Sequence, residues 1–191
     1  MTLPDTPLTL ILADDHAIVR MGFRLLLEGV GAHVLAEADC GEKAQQLMSE
    51  LNPDVLVMDL SMPGCGGLTA LERILARKPG QKVLIASAHA DAIIAERALK
   101  AGAAGYLCKR SPPDELLKAV NQVAAGQRYI DPEIAAALRR ADRPEHPAEA
   151  LTDKEFNVFL QLAQGRSVAE VAETFHLSPN TVGTHLYHIK Q

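Results

Sequence analysis

Four short apolar runs in this chain each stop on a polar group capable of chemistry. Leu8 to Ala13 stops on Asp14-Asp15, Val55 to Met58 on Asp59, Val83 to Ala86 on Ser87, and Ala104 to Cys108 on Lys109. Apolar runs this short, separated by helix-period stretches, read as buried strands of a parallel sheet. In an open parallel sheet the carboxyl ends of the strands converge on one crevice. The spacing therefore gathers three carboxylates, a hydroxyl and an ammonium at one place. Two like unit charges about 4 Å apart cost roughly 4 kcal/mol at an effective dielectric of 20. Such a cluster calls for a divalent cation, and an all-oxygen donor set favours Mg2+.

The alternation continues for most of the chain. Strands are expected near 8–13, 32–37, 54–59, 82–87 and 104–108, and helices near 16–29, 42–51, 67–77, 91–101 and 112–125. Five consecutive βα units define an α/β, doubly wound, five-stranded parallel sheet over residues 1–126. Ser111 is the expected cap of the last helix, with Pro112 at its first position and Asp114 at its positive end.

Residues 127–150 differ in character. Asp131-Pro132 opens a short Ala-rich helix, and Asp142 to Pro147 is polar and proline-interrupted, which reads as a linker with one short helix. A small all-α unit follows over 151–191. Thr152 with Glu155, and Ser167 with Glu170, are capping boxes. Phe156, Phe159, Leu160 and Ala163 form the buried stripe of its first helix, and Val168, Val171, Ala172 and Phe175 that of its second. Ser178-Pro179 starts a third helix with Val182, Leu186 and Ile189 inward.

Composition narrows the function classes. A net charge of −5 argues against a chain that coats nucleic acid by bulk electrostatics. Cys40, Cys65 and Cys108 are widely spaced and form no metal-type pattern, so free thiols in a reducing cytoplasm are expected. The N-terminus shows no signal-peptide pattern and no apolar run is long enough to span a membrane.

An aspartate at this kind of crevice can act as a nucleophile toward phosphorus. Asp59 stands alone at the end of the central strand and is the expected nucleophile. Asp14 and Asp15 are expected metal ligands, together with Asp59 and the backbone carbonyl of Ser61. Lys109 would pair with one phosphoryl oxygen and Ser87 would donate a hydrogen bond to another. A phosphatase turning over through an aspartyl-phosphate is the enzymatic alternative. Phosphatases of the haloacid-dehalogenase type carry an acid two residues after the nucleophile, where this chain has Ser61. A non-enzymatic role is therefore expected.

Leu12-Ala13-Asp14-Asp15-His16, Met58-Asp59-Leu60-Ser61-Met62-Pro63-Gly64, Ser87-Ala88-His89 and Gly102 to Lys109 together resemble the receiver domain of bacterial two-component response regulators, a flavodoxin-like fold. The unit from Leu151 through Val182 resembles the LuxR-type helix-turn-helix, and the whole resembles the NarL/FixJ subfamily. The resemblance implies a histidine kinase as phosphodonor to Asp59, a switch pair of Ser87 and Tyr106, homodimerisation on phosphorylation, and DNA as target. It places DNA contacts at Asn180, Thr181, Gly183, Thr184, Tyr187 and His188.

Two departures bear on that expectation. Family members commonly carry lysines at the positions of Asn180 and Gly183, and from 148 to 191 this chain sets Lys154, Arg166 and Lys190 against Glu149, Asp153, Glu155, Glu170 and Glu173. Phosphate neutralisation supplies most non-specific DNA affinity, so weak or dimer-dependent binding is expected. The family also continues beyond the position of Gln191 into a further helix, so the sequence reads as a member shortened at its C-terminus. The inward faces of the first and third helices of the unit would then be partly uncovered or rest on the receiver. A regulator acting through protein–protein contacts is the alternative output.

Overall fold

In the computed structural model, residues 7–88, 90–140, 151–163 and 165–189 are described. His89 of the Ser87-Ala88-His89 motif, the polar stretch 142–147 and residues 190–191 lie outside them. Strands β1 (Thr9–Ala13), β2 (His33–Ala38), β3 (Val55–Met58), β4 (Val83–Ser87) and β5 (Gly105–Cys108) alternate with helices α1 (Ala17–Glu28), α2 (Gly41–Glu50), α3 (Gly67–Arg77), α4 (Ala92–Lys100) and α5 (Pro113–Ala124). All strand pairs are parallel, in the order β2-β1-β3-β4-β5 with one further strand beyond β5.

The two-residue period of the strands sorts the core into two layers. Ile11, Leu56, Met58, Ile85 and Tyr106 point to one face, where Met48 of α2, Leu71 of α3 and Ala95 of α4 cover them. Leu10, Leu12, Val57, Leu84 and Leu107 point to the other, where Leu27 of α1 and Leu116 and Val120 of α5 close over them. Strands buried on both faces must be apolar throughout, which is why the runs read as continuous rather than alternating. Among the described residues no helix is long and apolar enough to cross a membrane.

The sheet has six strands, one more than expected. Tyr129–Ile130 forms β6, parallel to β5. Two residues carry no periodicity, and the pairing is held from outside the strand. The Asp131 carboxylate accepts from Cys108 N at 3.3 Å, Ser111 Oγ at 2.5 Å and Glu133 N at 3.0 Å. The same contact corrects the start of α5. Because the Ser111 hydroxyl is committed to Asp131, Pro112 occupies the cap position and Pro113 opens the helix. The expected Ala-rich helix is α6 (Pro132–Arg140), and its Ile134 is fully buried in the layer with α4. Residues 127–140 are thus packed onto the receiver rather than strung out as a spacer.

The C-terminal unit consists of α7 (Asp153–Ala163), α8 (Val168–Thr174) and α9 (Pro179–Ile189). Both capping boxes are present: Thr152 N donates to Glu155 Oε2 at 3.0 Å, and Ser167 N donates to Glu170 Oε2 at 2.7 Å. The stripe expected to be buried is buried, and against the receiver. Phe156 and Leu160 are buried in the receiver's layer with α3 and α4, while Val158 and Leu162 meet Val171, Ala172 and Val182. Helix α7 therefore has two apolar faces, one for each unit, and its expected alternative of resting on the receiver is realised.

Candidate functional site

The order of the sheet reverses between β1 and β3, and the loops leaving these two strands meet there. Asp59 N donates to Ala13 O at 2.8 Å and Lys109 N to Ser87 O at 2.8 Å, so backbone ladders carry each functional side chain to the same edge. Asp14 is 4% exposed and Asp59 only 2%. Lys109 Nζ lies 2.5 Å from Asp14 Oδ2 and 2.8 Å from Asp59 Oδ2. The expected groups are thus brought together, with Lys109 bridging the two carboxylates.

Burial pushes the Asp59 carboxyl above the ordinary range, and the pull of Lys109 offsets only part of that. Burial also disfavours the charged form of Lys109, but attraction to Asp59 and Asp14 outweighs it and holds the ammonium above its usual value. Each group keeps the other charged, as buried ions require. Asp15 sits at the rim, and its Oδ1 is buried with no hydrogen-bond partner, although His16 Nδ1 lies 2.8 Å away. Asp14, Asp15, His16 and Asp59 each offer a ligand atom within 4.8 Å of the others. Three carboxylates face Lys109 and, at the rim, Arg166; the all-oxygen donor set, with one carboxylate oxygen left without a hydrogen bond, fits a hard divalent cation. Leu60 N donates to Asp59 Oδ1 at 2.7 Å, which leaves the other oxygen toward Lys109.

Ser87 is fully buried on β4, and Tyr106 is fully buried on the neighbouring β5. Burial raises the Tyr106 phenol well above its ordinary value, while a hydrogen bond with Ser87 works against that shift. The two residues singled out as a switch pair are therefore in contact, with the ring already turned inward.

The pocket has a neighbour that sequence reasoning missed. The side chain of Gln161, on α7, is 1% exposed and donates from Nε2 to the carbonyl of Ser61 at 2.9 Å. Asn157, one turn earlier, donates to Cys65 O at 3.4 Å and Thr69 Oγ1 at 3.2 Å. Gly66, at φ +79°, makes room for it, since a Cβ there would lie 2.5 Å from Asn157 Nδ2. Arg166 Nη2 reaches Asp15 Oδ2 at 3.5 Å. Gly64 N donates to Thr174 O at 3.1 Å. On the other side of α7, Arg97 of α4 stacks 4.3 Å over the Phe156 ring and donates to Leu151 O at 2.7 Å. The available signal was the pairing of amides with apolar residues, Phe156-Asn157 and Leu160-Gln161, at one helical pitch.

The residues expected to touch DNA all lie on the exposed side of α9: Asn180, Thr181, Gly183, Thr184, Tyr187 and His188. The α7–receiver contact leaves that side open. Thr181 N donates to its cap, Ser178 Oγ, at 3.1 Å, Thr184 Oγ1 donates to Asn180 O at 3.1 Å, and His188 Nδ1 meets Glu155 Oε1 at 3.1 Å. Hydrogen bonds from Thr152, reinforced by His188, hold the Glu155 carboxyl down to about 2.

A doubly wound sheet with this acidic switch-point pocket, followed by a capped three-helix unit, is the architecture of a receiver joined to a helix-turn-helix output. Residues 10–121 match the response regulator receiver domain, and residues 149–191 match the bacterial regulatory proteins of the luxR family. The chain belongs to the two-component response regulators, in the NarL/FixJ subfamily of transcription regulators. It is 39% identical to the response regulator GacA of Pseudomonas aeruginosa over 184 residues, which is 94% of this chain and 86% of GacA. A two-component response regulator of the LuxR family from Aurantimonas sp. SI85-9A1 superposes with a TM-score of 0.68 at 38% identity, over 71% of this chain and 97% of that one. The response regulator RcsB in its DNA complex gives a TM-score of 0.67 at 26% identity, over 94% of this chain and 88% of RcsB.

Proposed function

We propose that Asp59 accepts a phosphoryl group from a histidine kinase and that this charge event controls how α9 engages DNA. The observation that carries this reading is the buried Asp59 carboxylate, set between Asp14 and Lys109 at the reversal of the sheet. A carboxylate oxygen of Asp59 attacks phosphorus. The phosphorus–nitrogen bond to the donor imidazole breaks, the electron pair returns to nitrogen, and the imidazole leaves with a proton from solvent. Asp14, Asp15, Asp59 and the Ser61 carbonyl would hold Mg2+. When bound, that ion neutralises charge on the transferring group. Lys109 gives up its contact with Asp59 and pairs with a phosphoryl oxygen. The Ser87 hydroxyl donates to another, and Tyr106, bonded to Ser87, follows it.

The output reading rests on the match to the luxR family and on the exposed side of α9, with Asn180, Thr181, Gly183, Thr184, Tyr187 and His188 available to base edges or phosphates. The charge-poor face of α9 calls for a dimer, which doubles the phosphate contacts. The receiver is placed at 1–126, the connecting segment at 127–150, with its β6 and α6 packed onto the receiver, and the output unit at 151–191. The protein acts in the cytoplasm, where kinase and DNA are both reached, and works as a regulator, not an enzyme. Incubation of the full chain with acetyl phosphate and magnesium should add one phosphoryl group by intact mass, and Asp59→Asn should add none. Labelling that survives the substitution overturns the assignment.

A further inference from the structure

The helix-turn-helix unit touches the receiver at the very groups through which the pocket would hold a metal. Gln161 has its amide N–H on the Ser61 carbonyl, and Arg166 has its guanidinium on Asp15. Both come from α7 and the turn after it, and neither belongs to the face of α9 that would meet DNA. The contact is internal: Gln161 is almost fully buried, and its amide oxygen is left without a partner. Asn157 beside it has the same unpartnered oxygen. Burying amides half-satisfied is costly, so the docked arrangement holds unfavourable terms that separation would release.

We propose that the helix-turn-helix unit closes the pocket from its metal side, so that docking of this unit and binding of Mg2+ oppose one another. The inference rests on the assignment of Asp15 and the Ser61 carbonyl as metal ligands. Its basis is competition for the same Ser61 carbonyl and the same Asp15 carboxylate. A carbonyl whose electron density is drawn to a dication is a poorer acceptor for Gln161. A carboxylate engaged by a dication no longer balances Arg166, and the dication repels the guanidinium. In the docked state Arg166 supplies the positive charge that Asp15 otherwise lacks among the described residues near it, apart from His16. The unit therefore guards the site of phosphoryl transfer, while the DNA-facing side of α9 stays open. Linkage makes the effect reciprocal: whatever factor docking takes from magnesium affinity, magnesium takes from docking.

The test is magnesium titration calorimetry on the full chain, with small-angle scattering on the same samples. Gln161→Met keeps the length of the side chain and removes the donor. Arg166→Ala removes the cation from a half-exposed position, and Arg166→Lys restores the charge. Each of the first two should tighten magnesium binding about threefold, their combination about tenfold, and Arg166→Lys should stay near the wild-type value. Saturating magnesium should expand the wild-type chain toward the radius of the double variant. Equal magnesium affinity in wild type and double variant, with binding present in both, overturns the gating and leaves the metal site standing. Absence of magnesium binding in both overturns the metal site, and the gating with it. If the double variant is misfolded, Arg166→Ala alone decides: an affinity unchanged from wild type overturns the proposal.

Discussion

The Asp59 carboxylate is 2% exposed and lies 2.8 Å from the Lys109 ammonium, whereas the Tyr187 ring is 62% exposed on a helix whose sequence from Pro179 to Ile189 has no lysine, arginine or carboxylate. These two regions carry the two halves of the proposed function, and they are built under different constraints. In the pocket each charge is buried and persists only because its partner is present, so position, ionisation and stability are one problem. On α9 the outward side chains face water and depend little on one another. Chemistry that needs buried charge forces its residues into fixed places; recognition on an open face leaves them free to vary.

Substitutions should separate the two regimes. Lys109→Met leaves Asp14 and Asp59 without their shared cation, and breaking a buried pair costs about 3–5 kcal/mol. Urea unfolding at neutral pH in metal-free buffer should show a loss of that order. The loss should shrink as pH falls. A carboxyl whose folded pKa is raised costs stability when ionised, so the penalty is fully present above the raised Asp59 value and disappears as the pH drops through it toward the unfolded one. A variant as stable as wild type at pH 7 would mean that the buried charges of the pocket do not depend on one another.

Phe156→Ala asks whether α7 belongs energetically to the receiver. The ring is fully buried in the receiver's layer under Arg97, so its removal should cost about 3 kcal/mol in the same assay. A loss below about 1 kcal/mol would mean that the inter-unit layer is not a working core.

Effects on α9 should be smaller in stability and larger in binding. Gly183 has no atom within 4 Å of an added Cβ, so Gly183→Ala should stabilise by about 1 kcal/mol through helix propensity. Asn180→Lys with Gly183→Lys should tighten DNA binding on all sequences. It should also steepen the slope of log K against log salt by about 0.9 for each lysine that reaches a phosphate. A slope unchanged by both lysines would show that this face does not lie on DNA. The smallest effect is expected for Thr184→Ala, whose exposed hydroxyl bonds within its own helix to Asn180 O; its stability should stay within about 0.5 kcal/mol of wild type.

The pocket was legible because strand ends are legible. An apolar run ending on an acid states both where a buried strand finishes and what it presents there, and the five-strand pattern is enough to place Asp14, Asp15, Asp59, Ser87 and Lys109 together. The capping boxes were legible for the same reason: Thr152 with Glu155 and Ser167 with Glu170 act within four residues of chain. Strand β6 was not, because a two-residue strand has no period and depends on Asp131 reaching back to Cys108 and Ser111.

By itself, then, the sequence determined the five alternating strands of the parallel sheet, the acidic crevice and the capped helices of the C-terminal unit, since each follows from hydrophobic period and local hydrogen bonding. The tertiary structure alone decided what covers the crevice. The stripe of α7 shows a buried face without saying what buries it, and Phe156 and Leu160 could serve either unit equally well by volume and polarity. Their burial against α3 and α4, and the amide of Gln161 on the Ser61 carbonyl, join residues 100 positions apart. Such a contact depends on two surfaces fitting after each unit has folded, and no local pattern in the chain encodes that fit.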